Sequence, residues 1–163
     1  MNAKTPTTEA LTAGQVMSRV LVTIPPEESP LMAWELMRRA EVHHLPVLDA
    51  HGRLLGILTR QDVSDSWSGG PAQQSHRPVR DLLGRHRTPR ARPDHRLSEV
   101  AGAMLDAACD AVPVLDDRGR LIGMITTVDV LKAVAGRVDT TDEPGEVRTA
   151  LFRIDPVALP TEE

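Results

Sequence analysis

The nineteen residues LPVLDAHGRLLGILTRQDV, Leu45 to Val63, return 67 positions later as VPVLDDRGRLIGMITTVDV, Val112 to Val130, with no gap. Identical pairs include Pro46/Pro113, Asp49/Asp116, Gly52/Gly119, Gly56/Gly123, Thr59/Thr126 and Asp62/Asp129. Self-similarity at a fixed period marks a repeat architecture in which each copy is one supersecondary unit. The period persists upstream, where Ala33, Leu36, Met37 and Ala40 map onto Val100, Ala103, Met104 and Ala107. Apolar residues spaced i, i+3, i+4, i+7 form the buried stripe of an amphipathic helix, so that helix is expected twice.

Local signals fill in the rest of each copy. An extended piece, LVTIPP (21–26) or TPRARP (88–93), ends at Pro26 or Pro93. Ser29 is the expected N-cap of the first stripe helix, with Pro30 at its first position. Copy two has Arg96 in place of Ser29, so its helix start is less well marked. Next, PVL and LLGIL, or PVL and LIGMI, flank DAHGR or DDRGR, a connection whose glycine suits positive φ, which predicts a β-hairpin. A second helix is expected at RQDVSDSW and TVDVLKAVAG. SGGPAQQSHRP, Ser68 to Pro78, has linker composition. The expected organisation is a flexible N-terminus (1–12), a first unit (13–67), a linker (68–77), a second unit (78–137) and a tail (138–163). In that tail VRTALFRIDPVAL reads equally as a strand or as a partner-binding segment. A lone unit of this size buries little apolar surface, so the copies are expected to pack together around a pseudo-two-fold cleft, a favoured place for ligands.

Composition narrows the function classes. At 163 residues, with 40% hydrophobic and 26% charged side chains, the chain has the make-up of a soluble globular protein. No apolar run approaches the roughly 20 residues that span a bilayer, and MNAKTPTTEA lacks the apolar stretch of a secretory signal, which makes the cytosol the expected location. A single cysteine, Cys109, excludes an internal disulfide framework and reads as a small buried hydrophobe. Net charge is −4, yet Arg77, Arg80, Arg85, Arg87, Arg90, Arg92 and Arg96 crowd one segment with His76, His86 and His95. That segment is either a solvated basic face or an attractor for phosphate. One phenylalanine, two tryptophans and no tyrosine leave almost no base-stacking platform, so nucleic acid is not the expected partner.

Thr-x-x-Asp before a helix approximates a capping box, and that is the primary role expected of Thr59–Asp62 and Thr126–Asp129. Capping does not explain Gly56 and Gly123, because a mid-strand glycine is usually justified by close approach of another backbone or a ligand. A helix start with free N–H groups beside a threonine hydroxyl suits a phosphate, and Asp62 or Asp129 is placed to accept from a ribose diol. No Gly-rich phosphate loop is present.

The whole run from about Gly14 to Gly136 resembles a tandem pair of cystathionine-β-synthase (CBS) domains, a Bateman module. The resemblance rests on VMSRVLVTIPPEESPLMAWELMRRAEVHHLPVLDAHGRLLGILTRQDV and its copy from Leu83 to Val130. It implies an α/β (α+β) fold of two β-α-β-β-α units with pseudo-two-fold symmetry, a disc-like homodimer, and an adenosine nucleotide (AMP, ADP or ATP) or S-adenosylmethionine in the clefts. No resident cofactor is required. Carried over by position, it implies that Thr59 and Thr126 contact phosphate and that Asp62 and Asp129 hold the ribose. Val22, Thr23 and Ile24, with Arg90 and Ala91 in copy two, flank the base. His43, His44, Leu45 and Pro46, and Asp110, Ala111, Val112 and Pro113, line the pocket, with Gly56 and Gly123 beside it. Arg60 and Thr127, next after the threonines, join the candidates; Arg38, Arg39 and Lys132 read as surface charge with a possible phosphate contact. TPRAR in place of LVTIP alters the second base site and offers Arg90 or Arg92 to a phosphate.

The function expected is therefore a regulatory sensor acting on a separate protein, since linker and tail leave no room for a further domain. The alternative is a ligand-free dimerisation module. An enzyme ranks last: His43 and His44 point to opposite faces if extended, His51 offers no metal-site spacing with them, and Asp106, Asp110, Asp116 and Asp117 lack a paired base or nucleophile.

Overall fold

From the stripe helix onward, both copies build the same elements in register. In a computed structural model, residues 10–69, 77–84, 87–138 and 147–149 are described. Most of the expected linker, the first nine residues and most of the tail lie outside them, as do His76, Arg85 and His86. In chain order the elements are α1 (Ala13–Val16), β1 (Leu21–Thr23), α2 (Pro30–Ala40), β2 (His44–Leu48), β3 (Leu54–Thr59), α3 (Arg60–Asp65), α4 (Leu97–Ala107), β4 (Ala111–Leu115), β5 (Leu121–Thr126), α5 (Thr127–Val134) and β6 (Val147–Thr149). Short 3-10 turns cover Ser66–Gly69 and Val79–Leu82.

The stripe helices form as the periodicity predicts. At the start of α2 the Ser29 hydroxyl accepts from the Met32 N–H at 3.2 Å. Arg96 has no such acceptor to offer, and α4 is instead closed by the Glu99 carboxylate, which accepts the Arg96 N–H at 3.1 Å. Both helices stop at a left-handed residue that is not glycine, Glu41 (φ 54) and Ala108 (φ 48), a conformation that costs about 1–2 kcal/mol. The hairpins are antiparallel, His44 facing Thr59 and Ala111 facing Thr126, with register shifts at the equivalent steps Val47/Leu48 and Val114/Leu115. Gly52 and Gly119 sit in the connections at φ +75, where a Cβ is disfavoured.

The leading strands differ. Ile24 bridges Val47 in parallel and β1 pairs in parallel with β6, so part of the tail adds a strand to the first unit. Copy two contributes only the bridge of Ala91 to Val114. Pro89 and Pro93 lack the N–H groups that a longer pairing needs.

Two unit cores and a seam hold the molecule together, and each unit core takes residues from the other copy's leading segment. Ile24, Ala33, Leu36, Met37, Leu45, Val47, Leu58 and Val63 pack with Val79 and Leu82 from the approach to copy two. Ala91, Leu97, Val100, Met104, Val112, Val114, Ile125 and Ala133 pack with Leu11, Ala13 and Met17 from the approach to copy one. The backbone bonds match: Val79 N–H donates to Glu28 and Arg80 N–H to Pro26, as Ala13 N–H does to His95 and Gly14 N–H to Pro93. The seam is built from repeat-equivalent residues, Leu48 with Leu115, Leu54 with Leu121, and Ile57 with Met124, joined by Leu21 and Ala111. Arg53 and Arg120, also equivalent, bridge antiparallel beside it.

This exchange accounts for the two strand glycines. A Cβ on Gly123 would lie 2.3 Å from the Met17 sulfur and 3.1 Å from the Met17 Cβ; on Gly56 it would lie 3.2 Å from a Leu83 methyl. The close approach expected from sequence is thus made by a side chain of the crossed segment, not by another backbone. Gly123→Ala should cost about 1–3 kcal/mol, as overpacking does, and Met17→Ala should soften it. A double-mutant cycle in urea checks this, with additive effects counting against the Met17–Gly123 contact.

Candidate functional site

The crossing brings β3 and the start of α3, residues Leu83, Gly84, Arg87, Thr88 and Arg90, and the α4–β4 junction around one cavity of about 1060 Å³. Of the sequence-predicted residues, His43, His44, Gly56, Thr59, Arg60, Asp62, Arg90, Asp110, Ala111 and Pro113 line it. Gly123, Thr126, Thr127 and Asp129 occupy the equivalent places at β5 and α5. Val22, Thr23, Ile24, Leu45, Pro46, Ala91 and Val112 are not in the lining of this cavity. Ile24, Leu45, Ala91 and Val112 are core residues, and Thr23 is fully buried with its hydroxyl unpartnered.

At the start of α3 the capping box closes completely. Asp62 N–H donates to the Thr59 hydroxyl at 3.1 Å, and Asp62 Oδ2 accepts from Thr59 N–H at 2.8 Å and from the Thr59 hydroxyl at 2.7 Å. Arg60 N–H donates to the His43 carbonyl at 3.0 Å. Copy two repeats each bond: Asp129 Oδ2 accepts from Thr126 N–H at 2.7 Å and from its hydroxyl at 2.9 Å, and Thr127 N–H donates to the Asp110 carbonyl at 3.0 Å. The free N–H groups expected at these helix starts are therefore mostly spent. Among the described residues, what stays open in copy one is Gln61 N–H and the second oxygen of Asp62, a donor and an acceptor on adjacent residues.

Three arginines, Arg60, Arg87 and Arg90, line the same cavity. Arg60 lies over the Trp34 ring at 5.3 Å, and Trp34 packs on Trp67 with centroids 5.3 Å apart at 53°. Three other arginine candidates are engaged elsewhere, while Lys132 is exposed. Arg38 and Arg39 pair with Glu35, whose carboxyl is lowered to about 2 chiefly by the hydrogen bond from Arg38, and Arg92 pairs with Asp117. Arg87, Leu83, Gly84 and Thr88 were not among the individual site candidates, although the arginine-rich segment that holds Arg87 was read as a solvated basic face or an attractor for phosphate. Cys109 also faces the cavity; burial pushes its thiol up and the residue stays half-buried.

His43 is exposed and His44 half-buried, yet both reach the cavity. Burial disfavours the imidazolium of His44 and lowers its pKa, with Asp110 and Asp62 opposing and His43 reinforcing the shift. Among the described residues no group of three His, Cys, Asp or Glu is placed to hold a metal ion.

The CBS domain family model matches residues 13–69 and 79–136. Homoserine O-acetyltransferase of Methanohalophilus mahii is 34% identical over 127 residues, which is 78% of this chain and 25% of that protein. The chain spans about a quarter of the length of the first curated relatives it matches. Among solved structures, the CBS domain pair of protein MJ0100 in complex with 5′-methylthioadenosine and S-adenosyl-L-methionine superposes with a TM-score of 0.67 at 25% identity, covering 77% of this chain and 97% of that one. CBSX2 in complex with AMP gives 0.66 at 26% identity, with the same coverage.

The His44 environment sets a pH dependence. Its folded pKa lies below the ordinary 6.5, so as pH falls through that value the unfolded chain takes up the proton first and stability is lost. Melting followed from about pH 7.5 to about pH 5 should show this loss. His44→Ala, which installs the residue that Ala111 supplies in copy two, should flatten the profile; an unchanged slope would remove His44 as its source.

Proposed function

The chain belongs to the CBS domain family, and from that premise we propose that it is a regulatory sensor whose inter-unit clefts take an adenosyl ligand, AMP, ADP, ATP or S-adenosylmethionine. The observation that carries this is one cavity of about 1060 Å³ walled by both units, with Gln61, Asp62 and three arginines on its lining. Its size falls at the upper end of the range of small-molecule sites. The complexes of CBSX2 with AMP and of the MJ0100 domain pair with two adenosyl compounds support the ligand class.

In this reading Asp62 and Asp129 hold the ribose, the residues flanking His44 and Ala111 line the base site, and the units 13–67 and 78–137 move as wholes. Because the cavity wall belongs to both units, a ligand there has different contacts if the units shift, which is the condition for moving a conformational equilibrium. The reader of that shift is a separate protein. Homodimerisation is supported by the apolar stripe of Val128, Leu131 and Val134 on α5, exposed at 57%, 61% and 66%. No described helix is long and apolar enough to cross a membrane, and we place the chain in the cytoplasm. Catalysis is not part of the proposal: the enzyme relatives are matched over about a quarter of their length.

Thermal shift tests the reading. A ligand at about 100 times its Kd adds about 2.7 kcal/mol, or roughly 5–10 °C in a chain of this size. AMP, ADP, ATP or S-adenosylmethionine should produce that rise, and nucleotide retained through purification should appear as extra ultraviolet absorbance identified by mass. A melting point unmoved by all four leaves the ligand-free dimerisation module as the function.

A further inference from the structure

The two repeat loops are unequal in charge, and the inequality says what each can hold. Among the described residues, Arg38, Arg39, Arg53, Arg80, Arg92 and Arg120 all sit in ion pairs with carboxylates. Arg60, Arg87 and Arg90 line the first cavity together with Asp62, Asp65 and Asp110, and none of these six is in those ion pairs. Both oxygen-rich and cationic groups thus face one space while remaining apart. Asp62 is held in its capping box, and Asp65 accepts from Gln61 Nε2 at 2.6 Å. The guanidinium of Arg60 is steadied by Trp34, while its Nε is buried without a partner. A guanidinium already ordered on an indole loses less freedom when it clamps an anion.

The repeat-equivalent positions carry no such set. Thr127 replaces Arg60 and turns its hydroxyl to the Asp110 carbonyl at 3.4 Å. Val20 and Thr23 replace Arg87 and Arg90, and Glu41 stands where Ala108 does. Lys132 in place of Asp65 is solvent-exposed. The threonine hydroxyls do not distinguish the copies, because both are spent on caps.

We propose that the cavity beside Thr59 is selective for a nucleoside di- or triphosphate, whose phosphates are held by Arg60, Arg87 and Arg90, and that the loop around Thr126 has no phosphate-holding role. The nucleoside half of this rests on the function proposed above; the phosphate half rests on the arginines alone. Three guanidinium forks offer more charge and more paired donors than a single phosphate uses, so affinity rises along the series adenosine, AMP, ADP, ATP.

The test is titration of the full chain with adenosine, AMP, ADP, ATP and inorganic tripolyphosphate, by calorimetry and by tryptophan fluorescence. Both tryptophans of the chain lie in the Arg60 cluster, so fluorescence reports on this cavity. Arg60→Thr and Arg90→Thr, which install the repeat-equivalent residues Thr127 and Thr23, should each weaken ATP by about tenfold or more and leave adenosine within about twofold. Arg90 is exposed, so its variant keeps the test if Arg60→Thr fails to fold. One phosphate-dependent event per chain is expected. A flat series, or ATP affinity unchanged in Arg90→Thr, overturns the proposal. Phosphate-independent binding of adenosine or S-adenosylmethionine overturns it while leaving the sensor reading in place. Tripolyphosphate binding that needs Arg90, without any adenosyl binding, supports the phosphate site and removes the adenosyl sensor. No binding by any of these compounds overturns both.

Discussion

The apolar seam in which Leu48, Leu54 and Ile57 meet Leu115, Leu121 and Met124 is the contact on which the molecule depends. Each unit alone offers one two-stranded hairpin and two helices, and a two-stranded sheet with an uncovered apolar face is marginal in water. Each buried Leu or Ile side chain contributes about 2 kcal/mol, so the seam supplies what neither half has. Because its members are repeat-equivalent, one solution to side-chain packing serves both sides of the pseudo-two-fold. The bridge of Arg53 to Arg120 marks where the two halves face each other.

The exchange of leading segments converts that seam from adhesion into interlocking. Met17 presses on Gly123 and Leu83 on Gly56, so each hairpin is backed by a residue that the chain delivers from outside its own repeat. The exchange also builds the cavity. Leu83, Gly84, Arg87 and Arg90 reach the cavity beside the β3–α3 turn, next to Val79 and Leu82, which are anchored in the first core. A cavity wall made of two units is a consequence of this route, and so is the sensitivity of that wall to any movement between them.

Much of the fold was legible because it is periodic. The 67-residue offset, the two stripe helices, the Gly52 and Gly119 connections and both capping boxes are local patterns, and each appears where its residues predict. The crossed segments were not legible, since Leu11, Ala13, Val79 and Leu82 carry no period of their own and their partners are distant in sequence. The strand glycines were read as sites of close approach, which they are, but a sequence cannot name Met17 as the neighbour. At the site, ten of the proposed residues converge around one cavity, while Ile24, Leu45 and Val112 are absorbed into cores. Side chains alternate along a strand, so a motif that flags a strand marks lining and core residues together. Arg87 was named only as part of a basic segment, because it sits outside every motif and reaches the cavity only through the crossing.

The capping boxes expose a division of labour that spacing alone obscures. A threonine and an aspartate before a helix have a structural task that uses the hydroxyl twice and one carboxylate oxygen twice. Whatever those residues do for a ligand is done with what remains, one oxygen of Asp62 and the neighbouring Gln61 N–H. Under the proposed function, neutralising phosphate charge falls to groups outside the cap, Arg60, Arg87 and Arg90. The repeat keeps its caps identical in both halves and differs at Arg60/Thr127, Arg87/Val20 and Arg90/Thr23. Residues bound by the cap geometry are held to one chemistry, whereas the positions beside them are free to make two clefts of one fold unlike in charge.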